Sequence, residues 1–346
     1  MVMELLIPSA LRPSASAPPA RWSSPSQAAP TTSRPVSSDL DQKDSRFIAR
    51  PVLAGQAHPG RVSCYLPSGS MKAEAATLDA LIDMLRGRRV VALTGAGVST
   101  ESGIPDYRSP ESAARARRPI HGPEFVRSPA VRQRYWSRAL VGWERFRDAR
   151  PGAAHLALAR LEAAGLVADV ITQNVDRLHR KAGSERVVEL HGALAEVACL
   201  ACGAIEDRDA VQARMRSEND LAPFTGITVA PDGDAEVPEQ AEALFVVPAC
   251  VVCGGTLKPR VVFFGDNVPR AVVDDAFARV DAAEALLVAG TSLAVFSGYR
   301  FLRRAAERGT PIAIVNRGPV RGEEHAALKL EASTGETLEA IARRLA

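Results

Sequence analysis

Long hydrophobic runs are missing from this chain. No stretch approaches the roughly 18 apolar residues that a membrane span requires, so a membrane-spanning helix is excluded. A surplus of one charge is missing too: 43 basic residues face 40 acidic ones, for a net charge of +3. That balance leaves no basic footprint for nucleic acid. Only five of the basic residues are lysine, a bias that reads as an arginine- and alanine-rich proteome rather than a binding face. Cysteine is scarce, at five residues. Four of them fall in two tight pairs, as reduced metal-binding thiols do, and this favours a reducing compartment.

What is present concentrates first in residues 94–109. The apolar run Val90-Val91-Ala92-Leu93 is short and β-branched enough for a buried parallel strand. It runs into Gly95-Ala96-Gly97, where the backbone turns tightly and a ligand can approach with no Cβ in the way. Backbone N–H groups there, and at the start of the following helix, can hold a pyrophosphate. The usual dinucleotide fingerprint is altered, because the third glycine comes late, at Gly103, and Ser99 occupies the first helical turn. A plain strand–helix connection stays open on this segment alone. Ile104-Pro105-Asp106-Tyr107-Arg108 follows, and Pro105 keeps Ile104 extended. An apolar group, a carboxylate, an aromatic ring and a guanidinium thus stand beside the turn; a surface loop with Asp106 as a helix cap is the simpler alternative.

Two further strand ends carry chemistry. Val170-Ile171-Thr172 leads directly into Gln173-Asn174-Val175-Asp176, whose amide and carboxylate groups suit ribose hydroxyls and a carboxamide. Val187-Val188-Glu189-Leu190 delivers His191-Gly192. Open α/β sheets place their ligands at such carboxyl ends. The cysteines argue separately. Cys199-Leu200-Ala201-Cys202 and Cys250-Val251-Val252-Cys253, each followed by glycine, read as a tetrahedral zinc site, with residues 203–249 looping out between the knuckles. Four thiolates fill the coordination sphere, so the metal is structural; a redox disulfide pair is the alternative. Cys64 lies apart from them.

Together these residues resemble the sirtuin family of NAD-dependent protein deacylases, over roughly residues 75–346. The resemblance rests on Gly95–Ser99, Gly103–Arg108, Thr172–Asp176, His191-Gly192 and the two Cys-x-x-Cys pairs. Phe263-Phe264-Gly265-Asp266, Gly290-Thr291-Ser292 and Val315-Asn316-Arg317 extend it. Arg117–His121, Arg132–Trp136 and Ala230–Asp234 make it closest to the class II branch of bacterial and mitochondrial members. Asp266 stands where glutamate is usual, and Tyr107 where phenylalanine is usual.

The resemblance implies NAD as cosubstrate, one structural zinc, and acyl-lysine proteins or peptides as substrates. The acyl oxygen attacks the nicotinamide ribose, nicotinamide leaves, and the acyl group passes to ADP-ribose. His191 is the implied general base on a ribose hydroxyl, with Asn174 as its catalytic companion. Ile104, Asp106 and Asn174 would form the nicotinamide pocket, and Gln173 and Asp176 the ribose side. Gly95, Ala96, Gly97, Ser99, Tyr107, Arg108, Gly290, Thr291, Ser292, Asn316, Arg317 and Thr334 complete the cofactor set. Phe264, Gly265, Val295 and Phe296 would edge a peptide bound as a strand. Mono-ADP-ribosyl transfer and a non-catalytic NAD-binding regulator are the alternative functions. The acidic-acyl branch of the family binds its acyl carboxylate with a Tyr-x-x-Arg pair; Tyr135-Trp136-Ser137-Arg138 has that spacing but lies far beyond Arg108, so neutral acyl groups are expected.

The expected fold is α/β, a doubly wound parallel Rossmann-like sheet with a smaller zinc-binding and helical domain inserted. Its strands fall at 90–94, 168–172, 187–190, 260–264, 285–289 and 311–315. The catalytic domain spans 71–346: a large part at about 75–106, 151–193 and 259–346, and a small part at about 107–150 (helical) and 194–258 (zinc). Within the small part Tyr135, Trp136, Trp143 and Phe146 have helical spacing and read as a packing stripe. Residues 1–70 hold ten of the 24 prolines with no helical or strand period, a composition that implies a disordered extension. Its start superficially resembles a transit peptide, and Met71-Lys72 offers a second translation start at the head of the first amphipathic helix. A cytoplasmic, monomeric enzyme is expected, with no nucleic acid or membrane partner and the mitochondrial matrix as the alternative location.

Overall fold

The computed structural model describes residues 71–106, 119–227 and 235–346. Six strands form the larger sheet: β1 (Val90–Thr94), β2 (Val167–Thr172), β3 (Val187–Glu189), β7 (Ala285–Ala289), β8 (Ile312–Val315) and β9 (Leu328–Leu330). Their order is β3-β2-β1-β7-β8-β9 and every pairing is parallel. Every residue of β1 and β7 is buried, as expected where helices cover both faces of a sheet. Alternation of side chains assigns Val90 and Ala92 to one core layer, with Leu81, Leu158 and Ile341 from helices 71–85, 153–163 and 334–345. Val91 and Leu93 join the other layer, with Val280 and Phe301 from helices 270–281 and 296–307.

The expected doubly wound sheet is therefore present. From β1 the chain works outward through β2 to β3, then returns to build β7, β8 and β9 on the opposite side. The order reverses between β1 and β7, the position at which such sheets bind ligands beyond their carboxyl ends.

One expected strand sits elsewhere. The run at 260–264 is not part of the parallel sheet; the strand is β6 (Leu257–Val261), antiparallel to β4 (Gly192–Cys199) in a separate three-stranded sheet, β5-β4-β6, with β5 at Ile205–Asp207. The cause lies at Gly192. Its backbone is left-handed, with φ of 78°, and a Cβ there would collide with the carbonyl oxygen of Arg260. A glycine thus lets the chain leave β3, pass closely over β6 and pair with it. The Val262 N–H donates to the His191 carbonyl at 2.9 Å, which closes this corner.

Residues 107–118 of the expected helical insertion lie outside the described residues; the remainder forms helices Gly122–Arg127 and Pro129–Asp148. The longer one starts where Ser128 Oγ accepts from the Val131 N–H at 3.3 Å, with Pro129 in its first turn. Trp136, Trp143 and Phe146 are buried along one face, a packing stripe as expected, with Leu140 joining it and Tyr135 only partly buried. The guanidinium of buried Arg208 lies 5.4 Å from the Trp136 ring centre and 5.2 Å from that of Trp143. Among the described residues, no helix is long and apolar enough to cross a membrane.

Candidate active site

The carboxyl ends of β1, β2, β7 and β8 bring the expected polar residues to one edge. β1 ends in a 3₁₀ turn, Ala96–Val98, and β7 ends at Gly290, with φ of 59°. The two loops pack backbone against backbone. Gly97 N–H donates to the Gly290 carbonyl at 2.8 Å, and a Cβ on Gly97 would come within 2.8 Å of the Gly290 Cα. A Cβ on Gly95 would meet Thr291 Cβ at 2.6 Å. Gly97, Val98 and Ser99 all spend their N–H groups inside the protein. These glycines therefore supply close approach between the two loops.

Beneath the turn runs a buried polar network. Ser99 Oγ donates to Asp176 Oδ2 at 2.7 Å and lies 2.9 Å from Asn174 Nδ2. Asn174 Nδ2 also donates to the Gly95 carbonyl at 3.0 Å, and Asp176 Oδ1 accepts from the Leu178 N–H at 2.9 Å. Gln173 Nε2 donates to Thr291 Oγ1 at 2.9 Å, joining the ends of β2 and β7. Thr334 Oγ1 donates to the Gly97 carbonyl at 3.2 Å, so this late residue does reach the β1 turn. Asn316 is buried at the end of β8, where its Nδ2 donates to the carbonyls of Arg317 and Gly318, while Arg317 itself is exposed. Ser292 accepts from the Arg321 N–H through its carbonyl.

Two histidines that the sequence reading assigned no role complete this floor. His155 Nδ1 accepts from the Gly152 N–H at 3.2 Å, which makes Nε2 the protonated nitrogen, 3.3 Å from Ser99 Oγ. His179 Nε2 lies 2.9 Å from Thr94 Oγ1, and the two imidazole centres are 4.8 Å apart. Burial pushes His155 down to about 4 and His179 down to about 3, so both are neutral. Their signal in sequence is faint: His155 meets Ser99 from 56 positions away.

His191 stands where the chain leaves β3. Its Nδ1 is 2.9 Å from the Gln173 carbonyl and its Nε2 is 2.8 Å from Ser297 Oγ. A carbonyl only accepts, so the proton sits on Nδ1 and Nε2 presents a lone pair. Desolvation holds this imidazole below its ordinary value, and the cation of Arg300 acts in the same direction. An ion network braces the strand on both sides: Arg177 joins Glu189 at 3.3 Å and also pairs with Glu196, which pairs in turn with Arg260.

The remaining residues divide. Ile104 is buried among Trp143, Phe146 and Leu178, and Asp106 is partly exposed. Tyr107 and Arg108 lie outside the described residues. Phe264, Val295 and Phe296 are exposed apolar groups, at 58%, 43% and 48%. Gly265 turns with φ of 80°, and the Phe264 carbonyl accepts from the Gly122 N–H at 2.9 Å. Tyr135 is enclosed by Phe125, Trp136 and Phe263, with ring centres 5.2–5.5 Å away, and Arg138 pairs with Glu242 at 2.7 Å. The Tyr-x-x-Arg spacing thus serves packing in the small layer.

The four knuckle sulfurs converge. All lie within 4.8 Å of one another, with Cys199 and Cys253 at 3.5 Å and Cys202 and Cys250 at 3.7 Å. None of the four is in a disulfide. A zinc ion bound at about 2.3 Å to each sulfur sets them about 3.8 Å apart, so the donor set fits zinc. Amide N–H groups of Ala201 and Val252 point at Cys199 and Cys250 sulfurs, each at 3.4 Å. A Cβ on Gly255 would sit 2.9 Å from the Cys199 sulfur.

A family model described as the Sir2 family matches residues 95–297. The chain belongs to the Sir2 family. This sirtuin is 50% identical over 270 residues to NAD-dependent protein deacetylase 1 of Mycobacterium avium (strain 104), covering 77% of this chain and 94% of that protein. It is 49% identical over 257 residues to the human NAD-dependent protein lipoamidase sirtuin-4, mitochondrial, covering 73% of this chain and 82% of that protein. These two relatives bear out the resemblance to the branch of bacterial and mitochondrial members. Among solved structures, one described as "Sir2-p53 peptide-NAD+" superposes with a TM-score of 0.63 at 30% identity, covering 77% of this chain and 98% of that one. Another, a Sir2 protein "bound to a propionylated peptide", has a TM-score of 0.61 at 30% identity, with 77% and 98% covered.

Proposed function

We propose that this sirtuin is a protein-lysine deacylase of deacetylase type that consumes NAD, acts on acyl-lysine proteins or peptides, and uses His191 as its base. The observation that carries this reading is the tautomer of His191: Nδ1–H bound to the Gln173 carbonyl, Nε2 unprotonated. The edge fits a polyhydroxylated dinucleotide, because Thr94, Ser99, Thr172, Asp176, Thr291, Asn316 and Thr334 are buried polar residues gathered at these strand and helix ends. Bound NAD supplies a glycosidic bond to nicotinamide and an ADP-ribosyl group able to accept the acyl group.

The chain's own residues then orient and move protons. His191 Nε2 takes a proton from a ribose hydroxyl; its lowered affinity for protons keeps it neutral at physiological pH. Asn174, with its amide fixed by Gly95 and Ser99, holds the ribose and carboxamide side with Gln173 and Asp176. Ile104 and Asp106, with Asn174, form the nicotinamide pocket, and Tyr107 and Arg108 belong to the wider cofactor set. The Gly95–Ser99 turn, Gly290, Thr291 and Ser292 take the phosphates and adjoining ribose, and Asn316, Arg317 and Thr334 the adenosine side. A peptide lies between Phe264-Gly265 and Val295-Phe296, adding main-chain hydrogen bonds and covering apolar surface that is exposed in their absence. Such positioning is worth as much as proton transfer, since the reacting oxygen is a weak nucleophile.

The same reading divides residues 71–346 into the large sheet part and the small helical and zinc part, and treats Cys199, Cys202, Cys250 and Cys253 as a closed structural zinc site. Thiols placed for a metal suit a reducing compartment such as the cytoplasm, and the chain is read as a monomer. The test is purified protein with NAD and a panel of acyl-lysine peptides, followed by mass spectrometry. Deacylated peptide, nicotinamide and O-acyl-ADP-ribose in equal amounts are expected. ADP-ribose found on protein with no deacylated peptide would replace this reading with mono-ADP-ribosyl transfer.

A further inference from the structure

The one lone pair of His191 able to accept a proton is already engaged. Nε2 carries its lone pair in the ring plane, and Ser297 Oγ lies 2.8 Å from it. Ser297 is half-buried and its neighbour is tightly packed. Gly298, the next residue, has no room for a Cβ: one would lie 2.5 Å from Gln173 Oε1. Gln173 in turn holds His191 Nδ1 through its carbonyl and Thr291 through its side-chain amide. His191 is thus held between the Gln173 carbonyl on Nδ1 and the Ser297 hydroxyl on Nε2, with the Gln173 side chain lying where a Gly298 Cβ would be.

A substrate hydroxyl and the Ser297 hydroxyl cannot both occupy one lone pair. Resting on the proposal that His191 is the base, we infer that Ser297 is a positioning residue: its O–H holds the Nε2 lone pair in the free protein and must withdraw before a substrate hydroxyl can take its place. Ser297 directly follows Val295 and Phe296, whose side chains are exposed on the same helix start. An acyl-peptide that covers those two residues pulls on the backbone that carries the serine. Peptide arrival and release of the base are thereby coupled through two peptide bonds.

The sign of the expected titration follows from the hydroxyl. Ser297 O–H donates to the neutral imidazole, but once Nε2 is protonated the hydroxyl turns and accepts the stronger, charge-assisted hydrogen bond, so the serine favours the imidazolium; without it, His191 binds protons less readily. Other groups around the ring act independently of the serine. Arg300, on the helix that carries Ser297, is the charged group that acts on His191. Gln173, from the end of β2, is neutral. Glu189, two residues earlier in the chain, is committed to Arg177 and Arg180.

The test is NMR titration of the His191 ring in full-length protein without ligands, for the native chain, Ser297→Ala and Ser297→Thr. The Ser297→Ala midpoint is expected to move to lower pH, while Ser297→Thr keeps the native one. On the basic flank, the protonated fraction should fall by about two- to tenfold, the weight of one hydrogen bond. With NAD analogue and acyl-peptide both bound, native and Ser297→Ala proteins should titrate alike, because the serine has already withdrawn. An unchanged midpoint in free Ser297→Ala overturns the inference, as does a difference that persists in the complex. These readouts need no turnover. If the titrations behave as expected and no deacylation is found, the reading of the reaction fails and the Ser297 contact stands.

Discussion

The strand-end site and the thiolate centre are joined by a single strand, β4, yet they are held by opposite means. The site rests on a sheet whose central strands are wholly buried, and its polar groups satisfy one another across segments far apart in sequence. The thiolate centre is covered on one side only. Cys199 and Cys250 are buried in a core with Trp136, Val197 and Leu257, while Cys202 and Cys253 are exposed, with Val251 and Val252 68% and 70% exposed beside them. A metal held by all four ties the exposed knuckle ends to that core. The strand-end site is thus held by hydrogen bonds across a buried sheet, and the exposed rim of the small part by four sulfurs.

Replacing His191 gives the sharpest separation. His191→Ala should lower deacylation by about 10²–10⁴-fold, the usual worth of a general base, with little change in melting temperature or NAD binding. Near-normal turnover in the purified variant would remove His191 from its role. Cys250→Ser should do the reverse. It removes one of four ligands, so zinc content falls and the module loosens, at a cost on the order of several kcal/mol. Elemental analysis and thermal denaturation read this directly; a zinc-free native protein, or a fully stable variant, would erase the contrast drawn above.

Acid should reach the floor beneath the site before neutral pH is far behind. His155 and His179 are held neutral, at about 4 and about 3, whereas unfolded imidazoles titrate near 6.5. A depressed histidine means that the unfolded chain binds more protons, so stability rises with pH through this window. As pH falls below about 6.5, each histidine removes about 1.4 kcal/mol per pH unit until its folded value is reached. Chemical denaturation from pH 7 to 5 should show a slope approaching two protons. His179→Gln should halve it, and a flat profile would contradict the burial argument.

Acyl preference is the smallest effect. Tyr135 packs among aromatic rings and Arg138 pairs with Glu242, in keeping with the expectation that this pair leaves an acyl carboxylate unmet. A carboxylate entering an apolar channel without a partner carries its desolvation cost. Acetyl- and octanoyl-lysine peptides should outcompete the succinyl-lysine form of the same sequence by about tenfold or more, in a mixed-substrate mass-spectrometric assay. Dominant desuccinylation would show that an arginine outside this pair meets the carboxylate.

Much of this was legible in the sequence because parallel strands advertise themselves. Val90–Leu93 and Val170–Thr172 are continuous apolar runs whose last residues hand over to polar ones, and in this fold that handover is the site. The strand β6 misled for the opposite reason. Its neighbours Val262 to Phe264 look as apolar as a core strand, but Pro259 and the turn at Gly192 give the segment to β4 instead. Edge strand β9 has only three residues, too few for a period. The His155–Ser99 and His191–Ser297 contacts were invisible because each joins residues far apart in the chain, 56 and 106 positions, with no pattern linking the two. Thr334, by contrast, was found only through resemblance, and it does reach the Gly97 carbonyl.

The left-handed corner at Gly192 works as a lever. His191 sits at the fulcrum, and Cys199 lies seven residues out along β4, about 23 Å at a strand's rise per residue. A rotation of about 5° there would displace the metal end by about 2 Å while moving the imidazole hardly at all. Large excursions of the module and sub-ångström placement of the base are therefore mechanically compatible in one continuous piece of chain.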